Sequence, residues 1–247
     1  MEVPAQDMMQ KRTAGKALKR IFRQDDILSR IEEQPASFSM LMNPTRLRIF
    51  IQLCQYPCSH TRGLSRDLDI SLTTINWHLG QLVEYGYIES KSDQGKRLYW
   101  PIGMLEMEHV GLIGCLQNDI PDNVLKTLSR SPGQRQMDMV SELNVRQQNL
   151  DFWLRRMQKL EIIERRGKGI GTTFYISGKL ADIVESYDST AKSYSEFLFN
   201  LFTQDGLRPI RPRFRGSRLG MDIRPPAGKR RIHLECSPLA SIRRYMP

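Results

Sequence analysis

The chain has 247 residues, which is enough for two modest domains that each bury their own hydrophobic core. Its four cysteines are too few and too unevenly spaced for a disulfide scaffold, no apolar run approaches the roughly 20 residues of a membrane span, and the N-terminus lacks the apolar core of a signal peptide. The net charge is +10, but residues 206–247 hold eleven basic and two acidic residues, so we expect a cytoplasmic protein whose basic character lies mainly in its tail.

Residues 1–36 predict an N-terminal arm that contains one helix. Between residues 16 and 33 the apolar side chains recur with helical spacing, at Ile21, Phe22, Ile27, Leu28 and Ile31. An amphipathic helix outside a domain core favours contact with a partner, so this helix is one of two candidate dimer contacts.

Residues 37–104 predict a domain of three helices closed by a β-hairpin. Pro44 suits the first turn of a helix, and Ser71 is a good N-cap for the third helix. The apolar positions recur every three or four residues, at Leu47, Ile49, Phe50 and Leu53, then Leu64 and Leu68, then Leu72, Ile75, Leu79 and Leu82. Gly86 ends the third helix, and the alternation around residues 93–95 predicts the hairpin.

Residues 105–177 predict a second copy of the same unit. When the sequence is aligned with itself, segment 64–90 lies over segment 139–165 without a gap. The apolar positions of the third helix then coincide, Ile75 with Leu150, Leu79 with Leu154 and Leu82 with Met157. We therefore predict tandem domains of an α+β class, mainly α-helical with small β-hairpins. Two unrelated amphipathic helices are the alternative.

The first copy resembles a family of DNA-binding regulators. Its segments "NPTRLRIF" (43–50) and "SLTTINWHLGQLVEYGYI" (71–88) are similar to the opening and recognition helices of ArsR/MarR-like winged helix-turn-helix regulators. The tandem arrangement looks most like the archaeal tandem winged-helix regulators of the archaellum-regulator type. The resemblance implies a nucleoid-associated regulator of transcription that binds double-stranded DNA.

In such domains the outward, N-terminal residues of the recognition helix read base edges. With the apolar face inward, these residues are Ser71, Thr73, Thr74, Asn76 and, further round, Gln81. Asn pairs with adenine and Thr methyl groups pack on thymine, whereas no Arg is present to read guanine. The hairpin places three basic residues for phosphate contact, Lys91, Lys96 and Arg97. A polar face without a partner is the alternative, and Trp77 and His78 suit packing between helix and hairpin.

The second copy offers a corresponding set. Its outward helix residues are Arg146, Gln147, Gln148 and Asn149, and its hairpin carries Arg165, Arg166 and Lys168. It departs from the family pattern because Trp153 stands at the position of His78 and Glu161 at that of Gly86. Whether this copy contacts DNA or protein is left open by the pattern.

Residues 178–204 predict a long packing or dimerisation helix, in which Leu180, Tyr187, Tyr194 and Leu201 recur every seven residues. Helix-turn-helix proteins usually bind paired half-sites as dimers, which favours a homodimer over docking of this helix on its own domain. Residues 205–247 are rich in Arg, Pro and Gly and show no apolar period. They predict a disordered tail that contacts phosphates or the minor groove.

Cys54, Cys58 and His60 look like half of a metal site. Three ligands are one short of a structural zinc site, so we predict instead a turn between two helices, with Ser59 and Thr61 as caps. The histidines lack the spacing to carboxylates or cysteines that catalysis requires, so we expect no enzyme and no cofactor. The alternative function is a winged-helix protein–protein interaction module of a transcription or chromatin complex, with the basal transcription machinery as partner.

Overall fold

A computed structural model describes residues 40–224, 231–239 and 242 of the chain. These residues divide into two compact units. The first unit comprises the described residues up to 107 and those from 185 to 239, and the second comprises 108–184 with residue 242. The arm and helix predicted for residues 1–36 lie outside the described residues. No helix in the described part of the chain combines the length and the apolarity needed to traverse a bilayer.

The first unit begins with a 3-10 turn at Met40–Met42 and helices α1 (Pro44–Gln55), α2 (Thr61–Leu68) and α3 (Leu72–Glu84). Asn43 caps α1, since its Oδ1 accepts hydrogen bonds from the backbone N–H groups of Thr45 at 3.0 Å and Arg46 at 3.1 Å. Pro44 occupies the first turn, as predicted, where its missing N–H leaves no donor unpaired.

Helix α3 begins and ends at the predicted residues. Ser71 caps it, accepting a hydrogen bond from the N–H of Thr74 at 3.2 Å, and Gly86 follows its end with a φ of 71°. Ile75, Leu79 and Leu82 are buried, but Leu72 is 44% exposed, so its predicted inward position is wrong. The Cα–Cβ bonds of a helix tilt toward its N-terminus, so a side chain in the first turn projects past the core that covers the later turns.

Strands β1 (Ser59–His60), β2 (Ile88–Asp93) and β3 (Lys96–Pro101) form an antiparallel sheet in the order β1-β3-β2. Gln94 and Gly95 connect β2 to β3, and both have positive φ, 47° and 72°, as a tight two-residue hairpin requires. Trp100 on β3 is fully buried, and its Nε1–H donates to Glu89 Oε2 at 2.9 Å from the directly opposite position on β2. This bond ties the two strands of the hairpin together.

In the second unit, helices α4 (Val110–Leu116), α5 (Asp119–Arg130), α6 (Gln136–Leu143) and α7 (Gln147–Lys159) precede a hairpin of β4 (Ile163–Arg166) and β5 (Thr173–Ile176), with a 3-10 turn at Gly169–Gly171 between the strands. In the self-alignment of the sequence, the bounds of α5, α6 and α7 fall on those of α1, α2 and α3. The start of β4 likewise falls on the start of β2, and the end of β5 falls on the end of β3. The same shift that aligns the sequence with itself therefore also aligns the helices and strands of the two units.

The turn before the second helix of each set has the same backbone conformation. Cys58 and Gly133 occupy equivalent positions in the self-alignment and have φ values of 65° and 83°. The N–H of Cys58 donates to the carbonyl of Tyr99 at 2.8 Å, and that of Gly133 donates to the carbonyl of Phe174 at 3.0 Å. Each bond joins the turn to the second strand of the following hairpin.

Helix α8 (Lys179–Gln204) carries the predicted seven-residue repeat. Leu180, Tyr187, Tyr194 and Leu201 are each 3% exposed or less. In the first unit the Oη of Tyr187 accepts from the N–H of Glu106 at 3.0 Å, and Phe202 packs edge-on against Phe50 with 6.1 Å between ring centroids. These four side chains are buried within the single chain, and the contacts of Tyr187 and Phe202 are with the first unit rather than with the second copy, on which the alternative placed this helix.

An antiparallel sheet follows α8, formed by β6 (Arg208–Pro209), β7 (Arg213–Arg215), β8 (Arg218–Arg224) and β9 (Ile232–Cys236). On β8 every second side chain is buried, at Leu219, Met221 and Ile223, and the residues between them are only partly buried. The prediction of a disordered tail is therefore wrong for residues 208–224 and 232–236. Three apolar residues at every second position suffice for a strand that covers a core, although Arg, Pro and Gly dominate the local composition.

Candidate nucleic-acid interface

The N-terminal part of α3 presents short polar side chains to solvent. Ser71, Thr73, Thr74 and Asn76 are exposed, as predicted. The hydroxyls of Ser71 and Thr74 lie 2.8 Å apart and bond to each other. Within the described part of the chain, Thr73 and Asn76 make no side-chain hydrogen bond, so their polar atoms are available to a ligand. Gln81 is only half-exposed, and its Nε2 donates to Glu84 Oε2 at 3.1 Å.

The hairpin of β2 and β3 is the wing of this site. Lys91, Lys96 and Arg97 are all exposed on it. The Nζ of Lys91 donates to the carbonyl of Met107 at 3.1 Å, and this bond fixes the position of the ammonium group. Lys96 lies next to the turn between β2 and β3. The wing therefore presents three positive charges to solvent, on the hairpin that directly follows α3 in the chain.

The corresponding residues of the second unit are also exposed. These are Arg146, Gln147, Gln148 and Asn149 at the start of α7, and Arg165, Arg166 and Lys168 on the hairpin. Arg165 donates to Thr172 Oγ1 at 3.2 Å, and the guanidinium of Arg166 lies 4.3 Å from the ring centroid of Tyr175 and pairs with Glu164 at 3.3 Å. Both arginines are thus oriented by their own hairpin.

An open groove of about 480 Å³ lies between α6, α7 and the hairpin of the second unit. Its charged lining comes from Arg135, Arg155, Arg165, Asp138 and Asp151. Arg155 and Asp151 pair across one helical turn at 2.8 Å, which leaves the groove with mixed charge. This mixture suits polar contacts better than it suits the binding of a single multiply charged anion.

Two exposed aromatic residues were not among the predicted site residues. Trp77 on α3 is 58% exposed and Phe152 on α7 is 51% exposed. His78 is buried, as the packing hypothesis has it, but Trp77 is not. A helical wheel could have identified Trp77, since it lies opposite the apolar face of α3.

The buried ring of His78 lies beneath this surface. Its burial, and then the nearby Arg46 guanidinium, lower the pKa of His78 below its ordinary value. The imidazole is therefore neutral near pH 7 and adds no charge to the interface.

Comparison with known proteins agrees with this geometry. Residues 42–89, from the 3-10 turn through α3 into β2, match the family described as winged helix-turn-helix DNA-binding. This segment is a winged helix-turn-helix domain. The chain is also similar to an uncharacterized HTH-type transcriptional regulator of the archaeon Methanocaldococcus jannaschii, with 28% identity over 151 residues. The match covers 61% of this chain and 38% of that relative, so the chain spans well under half of the relative's length.

The cysteines of the winged helix-turn-helix domain are structural. Cys54 and Cys58 are at most 1% exposed, and burial, followed by the neighbouring Cys236 thiol, raises the pKa of Cys54 well above its ordinary value. Among the described residues no group of three or more His, Cys, Asp or Glu side chains is placed to hold a metal ion.

His60 serves as a helix cap. Its Nδ1 accepts a hydrogen bond from the N–H of Gly63 at 2.8 Å, so His60, and not the expected Ser59 or Thr61, caps α2. Burial, and then the charge of Lys96 on the wing, lower the pKa of His60, which keeps the ring in the neutral form that accepts this bond.

Proposed function

We propose that the chain is a sequence-specific DNA-binding regulator of transcription, with α3 in the major groove of double-stranded DNA. One observation carries this proposal. The winged helix-turn-helix domain exposes a polar end on α3 and three basic residues on the hairpin that follows this helix in the chain. This pairing supplies both components of DNA recognition, hydrogen bonding to base edges and attraction to phosphates.

The polar set of α3 favours A·T base pairs. The amide of Asn76 matches the N6 and N7 edge of adenine, and the Thr73 methyl matches the C5 methyl of thymine. No arginine lies on the outward face of α3, so guanine lacks its usual partner. Lys96 and Arg97 contact phosphates and set the register of the helix along the duplex.

We further propose that the second unit is a duplicate of the first that contacts the same DNA. The constant offset between its helices and those of the first unit supports the duplication, and the exposed Arg146 and Gln147 at the start of α7 support DNA contact. Lys168 and Arg165 would act as its wing cations. With α3 and α7 both bound to DNA, one chain would recognise a longer operator than either helix alone.

The C-terminal sheet is proposed to hold flanking phosphates. Arg215 lies directly opposite Arg218, and Arg208 directly opposite Arg224, and all four are exposed. Like charges at opposing positions destabilise a sheet. Only Arg218 has an acidic partner among these four in the described chain, Glu235 at 3.2 Å. The phosphates of a DNA strand would reduce the repulsion within both arginine pairs, which favours DNA binding by this sheet.

We also propose a homodimer in the cytoplasm, associated with the nucleoid, because helix-turn-helix proteins commonly bind paired half-sites. Since the repeat of α8 is buried, the dimer must use another surface. Light scattering tests this: a mass of 28.7 kDa at micromolar concentration would show a monomer and contradict the dimer.

The deciding experiment is selection of bound duplexes from a random pool by the full chain, followed by affinity measurements on the selected sequence. We expect a preferred A·T-containing site and at least tenfold weaker binding by N76A.

The salt dependence of binding tests the wing through the variant K96A. Its matched control is K192A, which removes one exposed positive charge from α8. K96A should reduce the slope of log affinity against log salt by about 0.9, and K192A should not.

No enrichment of any sequence would refute the regulator proposal. It would favour the interaction module of a transcription complex, for which the near-neutral charge of residues 1–205 is the supporting observation.

A further inference from the structure

Each of the helices α3 and α7 exposes a large aromatic side chain at the same position. Trp77 is the sixth residue of α3 and is 58% exposed, and Phe152 is the sixth residue of α7 and is 51% exposed. Both helices have 13 residues, and the two positions coincide in the self-alignment of the sequence. Aromatic rings bury more apolar area than other side chains, so leaving both in water forgoes stability in both units.

The ring of Trp77 points away from the core of the winged helix-turn-helix domain. Successive residues of a helix turn by about 100°, which places Trp77 opposite Ile75, Leu79 and Leu82. It follows Thr73 by one turn, so it continues the polar surface assigned to the major groove.

Neighbouring rings hold both aromatic side chains. Trp77 meets His78 edge-on with 4.7 Å between ring centroids, and the Arg46 guanidinium lies 6.0 Å from the Trp77 ring. Phe152 meets Trp153 edge-on at 5.2 Å. A ring that is braced in the free protein loses little rotational freedom when a ligand covers it.

We propose that Trp77 is a specificity-determining residue that packs on the C5 methyl group of thymine in the major groove, and that Phe152 does the same for the second unit. The proposal rests on the proposed function, since it names the base group that these helices read. Phe152 has no hydrogen-bond donor, so the property that the two positions share is an apolar ring. The thymine methyl is the apolar group on the major-groove edge of a base pair.

The test replaces single thymines of the selected duplex by deoxyuridine, which removes the methyl group and keeps every hydrogen-bonding atom. For the wild-type chain we expect at least one position at which this change weakens binding about fourfold, the equivalent of one methyl-sized apolar contact. W77A should bind the thymine duplex more weakly and lose sensitivity at that position. W77F keeps an apolar ring and should retain the sensitivity.

N76A is the matched control, because it removes a polar side chain from the same helix and should leave the deoxyuridine effect intact. Circular dichroism would check that W77A is folded, which its exposed position leads us to expect. The inference is overturned if no thymine shows the effect in the wild type, or if W77A keeps it. Loss of self-association by W77A with unchanged base preference would also overturn it, by showing that Trp77 contacts a second copy.

Failure of this inference is distinguishable from failure of the proposed function. If the random pool yields no preferred duplex, the regulator proposal itself fails before any thymine is replaced. If a duplex is selected but responds to no deoxyuridine, DNA reading stands and only the role of the aromatic rings is refuted.

Discussion

Replacing Glu89 by alanine should destabilise the wing of the first unit. The carboxylate of Glu89 accepts the indole N–H of Trp100 at 2.9 Å, and Trp100 is fully buried. E89A leaves this donor without an acceptor, at a cost of about 2 kcal/mol in the free energy of unfolding. For a urea slope of about 2 kcal/mol per molar, the unfolding midpoint should fall by about 1 M.

Urea unfolding followed by the fluorescence of Trp100 measures this change. A background of W77F and W153F makes Trp100 the only indole, so the signal reports the unit that contains the wing. E89Q retains an acceptor oxygen and should recover more than half of the loss. E164A removes the glutamate at the equivalent position of β4, and it should leave the Trp100 transition unchanged.

Two results would refute this account of the wing. One is an E89A transition within about 0.5 kcal/mol of the parent, the range of an ordinary surface substitution. The other is an E89Q variant as unstable as E89A, because the acceptor oxygen that E89Q retains would then contribute nothing to stability. The first result would show that the buried indole of Trp100 is satisfied by another group, and the second would show that the charge of Glu89, rather than its hydrogen bond to the indole, stabilises the wing.

Three further changes have expected outcomes. N43A removes the acceptor for two N–H groups at the start of α1 and should cost about 1–2 kcal/mol of unfolding free energy, whereas N43D should cost little. Burial raises the pKa of Asp205 to about 6, so the folded state holds its proton more tightly than the unfolded state. The free energy of unfolding of the wild type relative to that of D205N should therefore fall as pH rises from about 4 to about 6. If the urea midpoints of the two proteins differ by the same amount at every pH, this expectation is contradicted. I223A should cost about 2–5 kcal/mol and accelerate amide hydrogen exchange across β8, while exchange there that is fast already in the wild type would contradict an ordered sheet.

The winged helix-turn-helix domain was predictable because its signals are local. The N-cap at Ser71, the proline at residue 44 and the glycine after α3 each act within a few residues, and the structure confirms all three. Leu72 was misassigned because helical periodicity records the direction of a side chain but not where the covering core ends. Trp77 was assigned to packing because large aromatic residues are mostly buried on average, although the helical wheel places this one opposite the apolar face of α3.

The C-terminal sheet could not be predicted in the same way. Its strands pair across the intervening turns and bury few residues: β6 and β7 bury none, β8 buries three, and β9 buries two, Leu234 and Cys236. Arg, Pro and Gly between them lower the mean hydropathy, so composition pointed to disorder. Period-two alternation at Leu219, Met221 and Ile223 was the available signal, and it is weak because it extends over so short a segment.

The burial of the cysteines has a practical consequence for site-directed labelling. All four cysteines of the chain, Cys54, Cys58, Cys115 and Cys236, are reduced and at most 1% exposed. Maleimide dyes need an accessible thiolate, so the native chain should react with them only upon unfolding. A single exposed substitution such as S92C on the wing would then carry a fluorophore without prior removal of native cysteines, and its emission would report directly when the wing meets a duplex.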